Sequence, residues 1–402
     1  MLNKITKWFS VSLLLIASIS CDDGPTSLGT NLLPEQDLIN AHKINSVDLS
    51  FLQKSKFYDT DSLSLASAAR IFLGKNGNVE STMLMKFYMF FPDSITDAIK
   101  GDSLVLNSAV IEMEPLYTYG DENNSFNFTV HEITNDWNSL EFGKNELELL
   151  TYNPEDISSN HQSSGDTSIT FTFDIDKEII TNWLKQSAEE TQADENFGIY
   201  FNYDNSTDKI LGFPAISPEY DSVLTRLVMI VEVPGNFIDT LTVQVTSDVH
   251  VVNKIFELDI PSNQSIYAQG GIPIRSNLFI DVSTIPEYAI INRATLKLFV
   301  DEDNSEIGSI ESKYVGLLML EDYESSEINT SFAGVLLELD SVLTYSGDVT
   351  NFVQEWISNE NNGIKLHLLD EIETINKISF YGTENPNISL RPYIEIIYTS
   401  KN

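Results

Sequence analysis

Short segments that alternate apolar and polar residues, or form brief β-branched and aromatic runs, recur along most of this chain. They include Ser103 to Glu114, Phe126 to His131, Gly198 to Tyr203 and Leu227 to Val233, each bounded by Asn, Asp, Gly or Ser. Period-two alternation over such lengths predicts strands. Helical spacing stands out in two places. Ile175, Ile179, Ile180 and Trp183 recur behind an acidic N-cap candidate, Asp174 or Asp176, and Val349, Phe352, Val353 and Trp356 recur behind Asp348. Each half is therefore expected to carry one short helix.

The halves also match block by block. Leu106 to Met113 parallels Ile291 to Leu298, with Asn107-x-Ala109 against Asn292-x-Ala294. After the helices come Gly198-Ile199 and Gly363-Ile364, then Phe213 and Phe380, then closing strands from Arg226 and Arg391. A duplication accounts for this order. The turn at Pro234-Gly235-Asn236 marks the expected boundary, giving modules 41–234 and 235–402. The expected fold class is all-β: two tandem jelly-roll-like β-sandwiches, each with one short helix plugging its core.

Ahead of the modules, Lys4 and Lys7 precede an apolar run from Trp8 to Ile19, too short to span a bilayer, and then Ser20 and Cys21. This is the order of an export signal, residues 1–20. Ser18-Ile19-Ser20-Cys21 resembles the lipobox of bacterial lipoproteins, with Ser where Leu is commonest. The resemblance implies cleavage before Cys21, acylation of its thiol, and outer-membrane lipid as a partner. Residues 21–40, starting Asp22-Asp23-Gly24-Pro25, read as a flexible tether. The acidic pair is similar to surface-export signals of Bacteroidota lipoproteins, which implies the exterior face, with the periplasmic face as the alternative.

The 60 acidic and 23 basic residues leave a formal charge of −37. Such a chain repels phosphate backbones, so no nucleic-acid partner is expected unless a local basic pocket intervenes. With 42% hydrophobic residues the composition is globular. A single cysteine, Cys21, excludes a disulfide framework, and the core must hold the fold by itself.

Candidate chemistry is sparse. No phosphate loop, nucleophile elbow or His-Glu-x-x-His helix occurs, and His42, His131, His161, His250 and His367 have no ligand spacing. No catalytic residue and no cofactor are therefore expected. Asp301, Asp303 and Glu306 sit in an acidic turn and offer oxygen ligands for a structural calcium, against the plainer reading of a solvated turn. Tyr117, Tyr119, Trp137 and Tyr323 fall in or beside predicted loops where aromatic faces could stack on sugar rings; ordinary packing is the competing reading. Trp183 and Trp356, among aliphatic partners at helical spacing, belong to cores.

The Asn-x-Ala strands (Asn107, Ala109; Asn292, Ala294), the Trp-bearing helices, the Gly-Ile pairs and the closing strands resemble DNRLRE-type modules. These are similar to β-sandwich carbohydrate-binding modules of bacterial surface proteins. Gly29-Thr30-Asn31-Leu32-Leu33-Pro34 resembles the Gly-x-x-Leu-Leu-Pro start of a family of Bacteroidota lipoproteins. Together these resemblances imply a non-catalytic, surface-exposed lipoprotein that binds glycan. A structural or adhesive protein docking surface proteins is the alternative, and a glycan-active hydrolase comes third.

Overall fold

A computed structural model describes residues 39–48, 51–59, 68–164, 170–188, 196–216, 225–254, 263–272, 274–340 and 342–401. Cys21, the export signal and most of the tether lie outside the described residues. Among those described, no helix is long and apolar enough to cross a membrane.

The chain enters through β1 (Ile39–Asn45) and β2 (Gln53–Asp59). Next come β3 (Arg70–Asn76), β4 (Val79–Phe87), helix α1 (Asp93–Lys100), β5 (Val105–Met113), β6 (Tyr117–Tyr119), β7 (Phe128–Glu132) and helix α2 (Lys144–Leu149). The first half continues with β8 (Ser158–Ser164), β9 (Thr170–Ile175), helix α3 (Lys177–Ala188), β10 (Ile199–Tyr203), β11 (Ile210–Pro214), β12 (Arg226–Val233) and the long β13 (Phe237–Lys254). The second half holds β14 (Ser265–Gln269), β15 (Ile274–Ile280), β16 (Ile290–Phe299), β17 (Tyr314–Asp322), β18 (Glu327–Ile328) and β19 (Val335–Leu339). It ends with β20 (Thr344–Asp348), helix α4 (Thr350–Ser358), β21 (Ile364–Leu368), β22 (Lys377–Tyr381) and β23 (Tyr393–Lys401).

The fold is all-β, with two antiparallel sheet systems, each wrapped around its own core. The ladders correspond. In the first module β12 pairs with β5, β5 with β9 and β9 with β8; in the second, β23 pairs with β16, β16 with β20 and β20 with β19. Facing them, β7, β10, β4, β3 and β11 pair in sequence, as do β17, β21, β15, β14 and β22. One difference is that β19 hydrogen-bonds to β17, whereas β8 and β7 share no ladder.

Alternation explains which side chains enter each core. In β12, Leu227, Met229 and Val231 point inward, and in β23, Ile394 and Ile396 do. The repeated helices close one end. Helix α3 buries Ile180, Trp183 and Leu184, and α4 buries Phe352, Val353, Trp356 and Ile357, each large side chain contributing about 1.5–3 kcal/mol on burial. Of the two cap candidates in the first half, Asp176 serves, accepting from the Glu178 backbone N–H at 2.7 Å, while Asp174 stays in β9; Asp348 accepts from Thr350 N–H at 2.8 Å. The first module carries α1 and α2 in addition.

The division of the chain differs from the one expected at residue 234. Strand β1 begins at Ile39 in the expected tether and runs into the expected first module, where β2 also lies, but the two hydrogen-bond to β23 and β15 in the second. Strand β13, expected in the second, pairs with β12 and β4 in the first. Alternation tells which face of a strand is buried but not against which sheet, so a strand's module is invisible in its pattern.

The modules are joined through a shared apolar cluster of Phe72, Val79, Tyr117, Tyr119, Ile210 and Ile375. Polar contacts surround it. Tyr117 Oη donates to Asn376 Oδ1 at 2.8 Å, Tyr119 Oη to Glu306 Oε2 at 2.5 Å, and Arg70 to the Glu373 carbonyl at 2.8 Å. Gly308 is required here: a Cβ on it would stand 2.3 Å from Tyr117 Oη.

Candidate functional site

The largest cleft among those characterised, about 600 Å³, opens at the end of the first module where β13 passes from β12 to β4. The register shift between Val245 and Ser247 brings Thr246 and Ser247 to its rim. Trp183 of α3, 3% exposed, lies at its floor.

Trp137, half-buried, forms one wall. Its loop leaves β7 and is pinned where Asn135 Oδ1 accepts from the Thr151 backbone N–H at 2.8 Å. The indole Nε1–H donates to the Phe197 carbonyl at 2.8 Å, and Phe142 packs edge-on with ring centres 5.9 Å apart. The ring is thus fixed before any ligand arrives. Tyr88, 62% exposed, also lines the cleft, its backbone N–H bonded to Thr246 Oγ1 at 3.2 Å.

Also in the lining, Lys86 Nζ meets Asp136 Oδ1 at 3.0 Å, and the Lys86 ammonium lies 5.8 Å from the centre of the Phe197 ring. The lysine hydrogen bond holds the Asp136 carboxyl below the usual range. Asn138, Ser139 and Asn196 complete a lining rich in donors and acceptors. Among the described lining residues Asp136 is the sole carboxylate, and it is paired with Lys86. A fixed indole with surrounding hydroxyl and amide groups suits a polyhydroxylated ligand.

Of the four aromatics named from sequence, only Trp137 lines this cleft. Tyr117 and Tyr119 are each 1% exposed, sealed in the module junction, which removes them as sugar contacts. Burial pushes the Tyr117 hydroxyl up to about 12. Tyr323 is buried too, with the Lys54 ammonium 4.1 Å from its ring centre. The acidic turn is likewise engaged in structure. Glu306 binds Lys377 Nζ at 2.5 Å as well as Tyr119, Asp301 accepts from Asn304 Nδ2 at 2.8 Å, and Asp303 is exposed. Among the described residues no three His, Cys, Asp or Glu side chains gather to hold a metal ion.

Three residues escape the sequence reading: Asn196 and Tyr88 at the cleft, and Asn361, the counterpart of Asn196 in the second module. Asn196 donates to the Phe87 carbonyl at 3.0 Å and accepts from Gly198 N–H at 3.0 Å, and Asn361 makes the same pair of bonds to Ile280 and Gly363, at 2.8 and 3.0 Å. The shared Asn-x-Gly spacing was the available signal. Tyr88 is hidden inside the aromatic run Phe87-Tyr88-Met89-Phe90-Phe91, of which Tyr88 and Phe90 are both exposed and only Tyr88 lines the cleft.

No family model matches the chain, and no curated protein does. Among solved structures, one titled BspA_C_WT aligns at 8% identity over 86% of this chain and 90% of its own, with a TM-score of 0.20. The C-terminal domain of the Streptococcus pyogenes antigen I/II-family protein AspA aligns at 7% identity over 87% and 91%, with a TM-score of 0.21. At such scores the likeness carries no argument about fold or ligand.

Proposed function

We propose that the chain is a non-catalytic lipoprotein of the outer cell surface, held to membrane lipid through acylated Cys21, that binds glycan in the Trp137–Tyr88 cleft. The observation that carries this reading is the fixed indole of Trp137 in a cleft also lined by the exposed Tyr88 and by hydroxyl and amide groups. An aromatic platform held in place beforehand binds without the cost of ordering it. Affinity electrophoresis of the full mature chain through neutral polysaccharides tests the reading. At least one polysaccharide should retard the protein, and Trp137→Ala should weaken the interaction about tenfold, ~1.4 kcal/mol, in protein that still melts cooperatively, at a temperature below the parent's because the indole also packs on Phe142. Migration unaffected by every polysaccharide would sink it.

A second reading, a structural or adhesive surface protein, is favoured by a separate observation. Tyr117, Tyr119 and Tyr323 are spent on packing rather than presented to solvent, and the first two stiffen the junction between modules. Under that reading the cleft is incidental and the joined pair acts as a spacer.

A further inference from the structure

In each module one stretch of chain crosses from one layer to the other. In the first it is β13, whose residues Arg226-facing Gln244 to Val233-facing Phe237 pair with β12 and whose remainder, to Lys254, pairs with β4. In the second it is β1, paired with β23, followed by β2, paired with β15. The equivalence extends to side chains. Ring centres of His250 and Phe72 lie 5.0 Å apart at 81°, and those of Phe57 and Tyr267 lie 5.2 Å apart at 82°. Yet β1 and β2 precede the body of the first module, and β13 precedes the body of the second. Each body is completed by the segment that leads into the other.

The two donors are held differently. A tight turn ties β13 to β12, with Asn236 N–H bonded to the Val233 carbonyl at 2.9 Å and Gly235 at φ +78°. No hairpin ties β1–β2 to its acceptor. Ser46 Oγ accepts from Ile394 N–H at 3.1 Å, and Gln53 Nε2 donates to the Pro392 carbonyl at 2.9 Å, across 348 and 339 residues of sequence. The acceptor therefore selects β1 and β2 by register and side-chain fit: Phe51 enters the core and Lys43 meets Glu395 at 3.0 Å. Both strands lie at sheet edges and are mostly half-buried or exposed.

We propose that the β23–β15 acceptor also takes residues 39–59 of a second copy, so that the chain self-associates by exchanging its leading strand pair. An identical segment restores every contact, and no new complementary surface has to exist. The covalent donor competes at an effective concentration in the mM range, so exchange is favoured where copies are crowded.

Cross-strand cysteines read this directly. His42 and Tyr398 are register partners with stacked rings 4.9 Å apart. In a full-length Cys21→Ser background, a chain carrying His42→Cys and one carrying Tyr398→Cys are mixed, partly unfolded together, refolded at high concentration and oxidised. A disulfide-linked pair containing one of each chain is expected, in several-fold excess over a control pairing His42→Cys with Leu140→Cys, an exposed site in the other module. A single chain carrying both His42→Cys and Tyr398→Cys should close on itself, proving that the geometry permits the bond. If that chain closes while the mixed chains stay monomeric, the proposal is overturned. Glycan retention is read separately, so neither result depends on the other.

Discussion

The two modules share a ladder, a helix and an Asn-x-Gly turn, yet they finish their sandwiches in opposite ways. The first is completed by the strand that immediately follows it, reached through a turn of a few residues. The second is completed by a segment some 340 residues away in sequence. A local hairpin closes early and at little entropic cost, whereas a remote segment docks only once the acceptor body exists. The first module is therefore built to fold by itself, and the second depends on the N-terminal segment.

Removing residues 39–59 from the full chain tests this difference most severely. The second core loses Phe51 and the packing of Ile44, and β23 and β15 each lose a seven-residue partner. Loss of Phe51 alone corresponds to about 3–5 kcal/mol. Calorimetry should show the second module's transition lowered by more than this or absent, with the first module's transition retained. Equal loss in both would show that the modules unfold as one unit and would break the comparison.

A milder contrast uses the shared turn. Gly198 at φ +85° and Gly363 at φ +77° each press against a backbone carbonyl; a Cβ would stand 2.1 Å from the Met85 oxygen in the first module and 2.5 Å from that of Leu278 in the second. Strain in the left-handed region together with the clash makes Gly198→Ala and Gly363→Ala each cost about 2–5 kcal/mol, the first more than the second. Urea titration of the two variants, followed by hydrogen exchange to assign the weakened module, reads both the size and the place of the loss.

These comparisons also show what the sequence could carry. The duplication was legible because core helices and turns impose residue identities: Trp183 and Trp356 at helical spacing, and Gly198 and Gly363 where a side chain would meet backbone. The exchange of leading strands was not, because β1, β2 and β13 are ordinary amphipathic strands whose hydrogen bonds are made by backbone and leave no trace in side-chain identity. The site divides the same way. Trp137 could be named as a loop aromatic beside a strand, but Tyr117 and Tyr119 look identical in sequence whether their faces meet solvent or another module. Only the packing of Ile375 and Asn376 against them decides.

The smallest contrast lies on the crossing strands themselves. Where β2 carries Ser55 and Phe57, β13 carries Asp248 and His250, both buried. Burial pushes Asp248 up to about 6, against a bond from Ile216 N–H at 2.8 Å, and pushes His250 down to about 3, with no hydrogen-bond partner on either ring nitrogen among the described residues. The signs oppose. His250, depressed from its unfolded value, contributes stability above pH ~6.5 that is lost as pH falls towards 3. Asp248, raised from its unfolded value, penalises the fold above pH 6, and the penalty is relieved as pH falls from about 6 to about 4. Each changes stability by about 1.4 kcal/mol per pH unit in its window, so between pH 6 and 4 they cancel. Asp248→Asn should uncover the His250 loss, making the first module less stable on acidification, relative to the parent chain, by about 1.4 kcal/mol per unit. His250→Phe, which copies Phe57, should do the reverse. Thermal melts at pH 6, 5 and 4 measure both differences, and parallel curves for parent and variants would show that these two groups do not titrate as their burial dictates.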